Sequence, residues 1–118
     1  MGDIIMATVS VEEIEKYLVD FYELEPEQVS LLLVEMKSSI VKIIKELGKS
    51  IDNGDYKSIG TGSHSLKGTL LNFGLVESAD ISSRIDSEAR AGVPVQLLKE
   101  LFDELQAGLV PLTGDVDD

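Results

Sequence analysis

The sequence predicts an all-α fold, an antiparallel four-helix bundle with an additional N-terminal helix that caps it. Apolar residues recur every three to four positions over most of the 118 residues, which is the period of an amphipathic helix. A proline or a capping residue stands at the start of most of these periodic segments. The connections between them are short, and short connections favour antiparallel neighbours. The sequence contains no alternating apolar run bounded by turn residues, which is the pattern that would indicate a strand.

The first predicted helix begins at Val11, after the N-cap candidate Ser10. The second begins at Pro26, because proline suits the first turn of a helix, and it ends at Asp52-Asn53-Gly54. Apolar residues at helical spacing predict one buried stripe on each of these helices. The stripe of the first is Ile14, Tyr17, Leu18 and Phe21, and that of the second is Val29, Leu32, Leu33, Met36, Ile40, Ile43, Ile44 and Leu47.

The third predicted helix begins at Tyr56 with Asp55 as its cap. An alternative start near Ser63, capped by Thr61 or Ser63, stays open because Gly60 and Gly62 weaken a helix. The fourth segment ends at Ala91-Gly92, and Pro94 opens the last one. The apolar positions predicted for these three segments are Tyr56, Ile59, Ser63, Leu66, Leu70 and Phe73, then Leu75, Ala79, Ile81, Ile85 and Ala89, then Leu97, Leu98, Leu101, Leu105 and Leu109.

The chain is predicted to form one domain, with a flexible N-terminus at 1–10, a bundle at 11–112 and an acidic disordered tail at 113–118. The apolar fraction of 43% fits a single core. The absence of cysteine excludes disulfides and thiolate chemistry, and a single histidine makes a metal site unexpected. A net charge of −12 argues against binding nucleic acid or an anionic membrane. No apolar run approaches a membrane span, and we expect a cytoplasmic protein.

The third helix carries an unusual patch around His64, the single histidine. On a helical wheel His64 lies about 130° from the middle of the apolar stripe, and Gly68 lies nearly opposite the stripe. Lys67 stands at the boundary, and Gly60 and Leu71 flank His64 on the outward side. Glycine inside a helix costs about 1 kcal/mol relative to alanine, and choices that cost stability tend to mark functional sites. We therefore expect a partner to dock at Gly60, Gly68 and Leu71.

Simpler interpretations of the same residues stay open. A solitary surface histidine without a role is common. Gly68 could permit close helix packing, Leu71 could be covered by the first helix, and Lys67 could be a merely solvated lysine. None of these needs a partner.

The run His64-Ser65-Leu66-Lys67-Gly68, followed by Asn72-Phe73-Gly74, resembles the signature of the histidine phosphotransfer domains of bacterial phosphorelays. The resemblance extends over about residues 11–112. It implies that His64 carries a phosphoryl group, that Lys67 steadies the phosphoryl oxygens, and that Gly68 leaves room for the partner. Leu66 and Gly74 would be structural parts of the motif. The Leu70-Leu71 pair departs from the small residues that the family often has there, which bears on the choice of partner.

The resemblance implies response-regulator receiver domains, histidine kinases or both as partners, with Mg²⁺ on the receiver and no cofactor on this chain. Phe73-Gly74 is also similar to the phosphotransfer domains of chemotaxis-type kinases, so a kinase catalytic domain is an alternative donor. We expect a monomer.

A carrier without turnover of its own is expected, because no nucleotide-binding motif is visible. The run from Gly62 to Lys67 lacks the glycine before the lysine and the preceding strand of a P-loop. Ser63 and His64 diverge by about 100°, so they form no catalytic dyad. One alternative is a non-catalytic helical adaptor that binds a receiver or a kinase. A weaker one is a kinase inhibitor that binds through Leu31 to Leu47, a stripe better explained as core.

Overall fold

The structure, a computed structural model, describes residues 7–114. It contains six helices, which are α1 (Val11–Tyr22), α2 (Pro26–Asp52), α3 (Tyr56–Asn72), α4 (Val76–Arg90), α5 (Val95–Gly108) and α6 (Val110–Thr113). No strand occurs in this part of the chain, so the predicted all-α class is confirmed. Residues 1–6 of the segment expected to be flexible, and residues 115–118 of the expected tail, lie outside the described residues.

Helices α2 to α5 form the four-helix bundle that the sequence predicts. Each of them packs against two others, α2 against α3 and α5 and α4 against α3 and α5. Helix α1 packs on α2 as the predicted cap. The last predicted helix is divided, because α5 ends at Gly108 and the short α6 packs on α2 and α5. Within the described residues, no helix is both long and apolar enough to cross a membrane.

Local capping interactions explain where the helices begin. The Ser10 side chain accepts the N–H of Glu13 at 3.2 Å at the start of α1. At the start of α3, the Asp55 carboxylate accepts the N–H of Ser58 at 3.2 Å and its hydroxyl at 2.8 Å. The hydroxyl of Ser58 is the main reason that the pKa of Asp55 is lowered, so the cap stays ionised. Helix α3 therefore begins at Tyr56, and the alternative start near Ser63 is wrong.

The core is mainly aliphatic, with Phe73 and Phe102 as its buried aromatic residues, and every helix of the bundle contributes to it. Its largest fully buried side chains are Ile14, Leu18, Met36, Ile40, Ile44, Leu47, Ile51, Ile59, Leu66, Leu70, Ile85 and Leu98. Two residues predicted for the apolar stripes are exposed instead, Phe21 by 64% and Leu97 by 45%. Leu97 lies at the margin of its stripe, whereas Phe21 lies in the last turn of α1, which ends at Tyr22. Phe21 stacks on Tyr17 with 5.1 Å between the ring centroids, which keeps its ring beside the bundle without burying it.

Gly74 follows the end of α3 and allows α1 to pack closely against the bundle. It has a φ of +75°, a conformation that residues with a side chain rarely adopt. A Cβ at Gly74 would stand 2.7 Å from the ring of Tyr17, so the two helices meet only because no side chain is present there. The hydroxyl of Tyr22 donates to the carbonyl oxygen of Asn72 at 2.7 Å beside this contact. Gly74 therefore both ends α3 and permits the close approach of α1.

We expect Gly74→Ala to destabilise the fold more than Gly92→Ala. Gly92 has the same φ of +75°, but a Cβ at that position would meet nothing within 4 Å. Gly92→Ala should therefore show only the backbone strain, about 1–2 kcal/mol, and Gly74→Ala should add the clash with Tyr17. Urea unfolding of both variants measures the difference. Equal losses in the two variants would contradict the close approach.

Candidate functional site

His64 lies in the middle of α3 on the exposed side of the helix. Its neighbours Ser63 and Leu66 are buried and face the core. The imidazole makes no hydrogen bond or ion pair with any residue between 7 and 114. The predicted exposure of His64 is confirmed. An exposed imidazole without a partner in its own chain is free to react with a group on another molecule.

The surface of α3 beyond His64 is open. A Cβ at Gly68 would meet nothing within 4 Å, so close helix packing does not explain this glycine. Leu71 is 43% exposed, which shows that α1 does not cover it. Lys67 follows His64 by one turn, is half-buried, and makes no ion pair with a described residue. His64, Gly68 and Leu71 thus form one uncovered face with Lys67 at its edge.

The prediction that Gly60 lies on the outward side beside His64 is wrong. Gly60 is buried, and a Cβ there would stand 3.2 Å from Oδ1 of Asp86 on α4. Its place on the wheel is at the margin of the apolar stripe, and α4 approaches closely enough to cover that margin. Gly60 therefore belongs to the packing of α3 on α4 and not to the open face.

A buried serine of α4, Ser82, bonds that helix to α3, a role that the sequence pattern did not predict. The hydroxyl of Ser82 on α4 donates to the carbonyl oxygen of Ser63 at 2.7 Å. The hydroxyl of Ser63 donates to the carbonyl oxygen of Ile59, also at 2.7 Å. The peptide that precedes His64 is therefore tied to the neighbouring helix. The stripe Ala79, Ser82, Ile85 and Ala89 has helical spacing and would have pointed to Ser82.

An ion pair lies beside the turn of α3 that precedes His64. Nε of Arg90 donates to Oδ1 of Asp86 at 2.9 Å, and this is the carboxylate oxygen that faces Gly60. The hydrogen bond to Asp86 raises the pKa of Arg90, which keeps the guanidinium charged. Asp86 is mostly buried, whereas Arg90 is largely exposed. The part of α4 that faces Gly60, one turn before His64, therefore carries the Asp86–Arg90 ion pair.

The described residues contain no group of three or more His, Asp or Glu side chains that could hold a metal ion. The chemistry that the open face offers is that of a single imidazole next to a lysine. Such a nitrogen is a nucleophile near neutral pH.

A family model described as the Hpt domain matches residues 29–109, which extend from the first turns of α2 to the end of α5. This match covers more than half of the chain and includes all of α3 and α4. No curated protein and no solved structure matches the chain significantly.

We expect Gly68→Ala to raise the free energy of unfolding by up to about 1 kcal/mol, because alanine favours a helix and the added methyl group meets no atom. Gly60→Ala should gain less or lose stability, since its methyl group would press on the carboxylate of Asp86. Thermal and urea unfolding of both variants test this contrast. A loss of stability in Gly68→Ala would mean that the face is not open.

Proposed function

Since the chain belongs to the Hpt domain family, whose members have a phosphotransfer role in phosphorelays, we propose that His64 is the residue that carries the phosphoryl group. The proposed reaction takes the phosphoryl group from an aspartyl phosphate of a receiver domain, or from a histidine kinase, and passes it to the aspartate of a response regulator. The observation that carries this proposal is the exposed His64 on a face that Gly68 leaves open.

The proposed step is an in-line displacement at phosphorus. The unprotonated ring nitrogen of His64 forms the new N–P bond, and the bond from phosphorus to the aspartyl oxygen breaks. The bonding electrons leave with the aspartate, which regains its carboxylate charge. The proton on the other ring nitrogen stays there. The reverse step returns the phosphoryl group to an aspartate, so the same atoms serve both directions.

Lys67 is the proposed cation for the phosphoryl oxygens. It stands one turn from His64 and has no carboxylate of its own within the described residues, so its ammonium group is available. Phosphoryl transfer depends mainly on positioning and on neutralising charge, which one lysine can support only in part. We propose that this chain binds no cofactor for the step and that the receiver supplies Mg²⁺.

The family interacts with receiver domains and kinases of two-component systems. We propose that the partner docks on the face made by His64, Gly68 and Leu71, with Leu71 as its apolar contact. A receiver backbone can approach Gly68 closely because no side chain stands there. Leu66 supports this face as a buried core residue of α3, and Gly74 supports it by ending that helix.

We expect the purified chain to be labelled by a phosphorylated receiver domain with Mg²⁺, and His64→Gln to remain unlabelled. The label should be acid-labile and base-stable, as a phosphorus–nitrogen bond requires. A fold check by circular dichroism accompanies both proteins. Binding of the receiver without any label on the wild type would favour the non-catalytic adaptor. A label on His64→Gln would place the acceptor elsewhere.

We expect Lys67→Ala to slow transfer to His64 by about tenfold to a hundredfold, the range for losing one hydrogen bond to a charged group. Lys57→Ala, which removes an exposed lysine from the same helix, is the matched control. Gly68→Gln should also slow transfer from the receiver by obstructing its approach, whereas Ala107→Gln, at an exposed position of α5, should not. Rapid-quench labelling gives the rates. Equal rates in Lys67→Ala and Lys57→Ala would remove Lys67 from the proposed site.

A further inference from the structure

One surface of α2 has no role in the bundle or in the site around His64. Its residues follow each other at helical spacing and point away from the core, and we call them the outward stripe of α2. They are Glu27, Leu31, Val34, Ser38, Lys42, Lys45 and Lys49, and all of them are exposed. Leu31 is 69% exposed and Val34 is 67% exposed, the highest values among the exposed large apolar residues of the described chain.

The outward stripe changes character along the helix. It begins with an acidic residue, Glu27, continues with the apolar pair Leu31 and Val34, and ends with three lysines. These lysines are notable because the whole chain has only 10 Lys and Arg against 22 Asp and Glu. None of the three makes an ion pair with a described residue, although the chain is strongly acidic. Both the apolar pair and the lysines therefore lack partners within residues 7–114.

We propose that this surface binds a second copy of the chain, with the two α2 helices antiparallel about a two-fold axis that passes between Val34 and Glu35. In that register Val34 meets Val34 of the other copy, and Leu31 lies over the small side chain of Ser38. Glu27 lies opposite Lys42, and this pair occurs twice because the interface is isologous. The register follows from the spacing of the stripe alone, since all of its first five residues find a suitable counterpart.

Charge selects the antiparallel arrangement over the parallel one. A parallel pair would set Glu27 against Glu27 and each lysine against its own copy, which is repulsive. The antiparallel pair also places Lys45 near Glu23 and Glu25, which precede α2. The net charge of −12 on each copy opposes association at long range. At about 0.15 M salt the Debye length is about 8 Å, so this repulsion is screened more than the contact pairs are.

The proposed dimer leaves both copies of His64 accessible. A Cβ at Gly62 of α3 would stand 3.5 Å from the side chain of Leu47 on α2, whereas one at Gly60 would face Asp86 on α4. His64 follows Gly60 by four residues and lies about 40° from it around the helix, so it lies on the α4 side. The outward stripe lies on the far side of α2. Phosphorylation of His64 and dimerisation are therefore separable. We propose this dimer in place of the monomer that was expected from the sequence.

The first test is the mass of the full chain by sedimentation equilibrium across micromolar to submillimolar concentrations. We expect the mass to rise towards twice the chain mass of 12.8 kDa. Leu31→Asp should keep the mass of a monomer, and Leu97→Asp, which changes an exposed leucine on α5, should dimerise like the wild type. All three should remain helical and accept label on His64 equally. A wild type that stays monomeric, or equal behaviour of the two variants, would overturn the proposal.

The second test exchanges the charges of one pair. Lys42→Glu alone sets Glu27 against a glutamate twice, and Glu27→Lys alone sets two lysines together, so each should weaken its homodimer by about tenfold or more. A mixture of the two variants restores both opposite-charge pairs and should dimerise like the wild type. The two substitutions lie on the surface and leave the core unchanged. If the mixture associates no better than either variant, the proposed register is wrong.

Discussion

The close packing of α3 against α4 is the constraint on which the exposed face of α3 depends. Small residues line this contact, and the hydroxyl of Ser82 reaches the carbonyl oxygen of Ser63 at 2.7 Å. Gly60 allows the carboxylate of Asp86 to approach within the space that a side chain would fill. Because the helix is held on that side, the residue that follows Ser63 is directed away from the core. The direction of His64 is thus set by groups that never contact its ring.

Three glycines of this region show how one residue type meets different physical needs. Gly60 permits two helices of the bundle to approach each other. Gly74 permits a positive φ and, at the same time, the approach of Tyr17. Gly68 permits no close approach by another part of the described chain, since a Cβ there would meet nothing within 4 Å. A glycine that costs helix stability and gains no internal contact is best explained by a partner, which is why the open face supports the proposed function.

Helix α2 has two faces with different environments. Its inner face supplies core residues such as Ile40 and Ile44 and packs against α3 and α5. Its outward stripe carries exposed apolar residues and lysines without partners in an acidic protein. The open face proposed for phosphoryl transfer lies on α3 towards α4. The proposed second copy and the proposed phosphoryl transfer would therefore use different sides of the bundle, and neither surface contributes to the core.

The sequence by itself determined the helical class, the helix starts at Val11, Pro26 and Tyr56, and the side of α3 on which His64 lies. These properties depend on hydrogen bonds between residues close in sequence and on the fixed angle per residue of a helix. They can therefore be predicted without knowing the tertiary structure. Only the tertiary structure decided the burial of Gly60, the role of Ser82, and the exposure of Phe21 and Leu97. Each of these residues lies at the margin of a stripe, at the end of a helix or in contact with another helix. Its environment depends on which neighbour approaches and how closely, and no single helix carries that information.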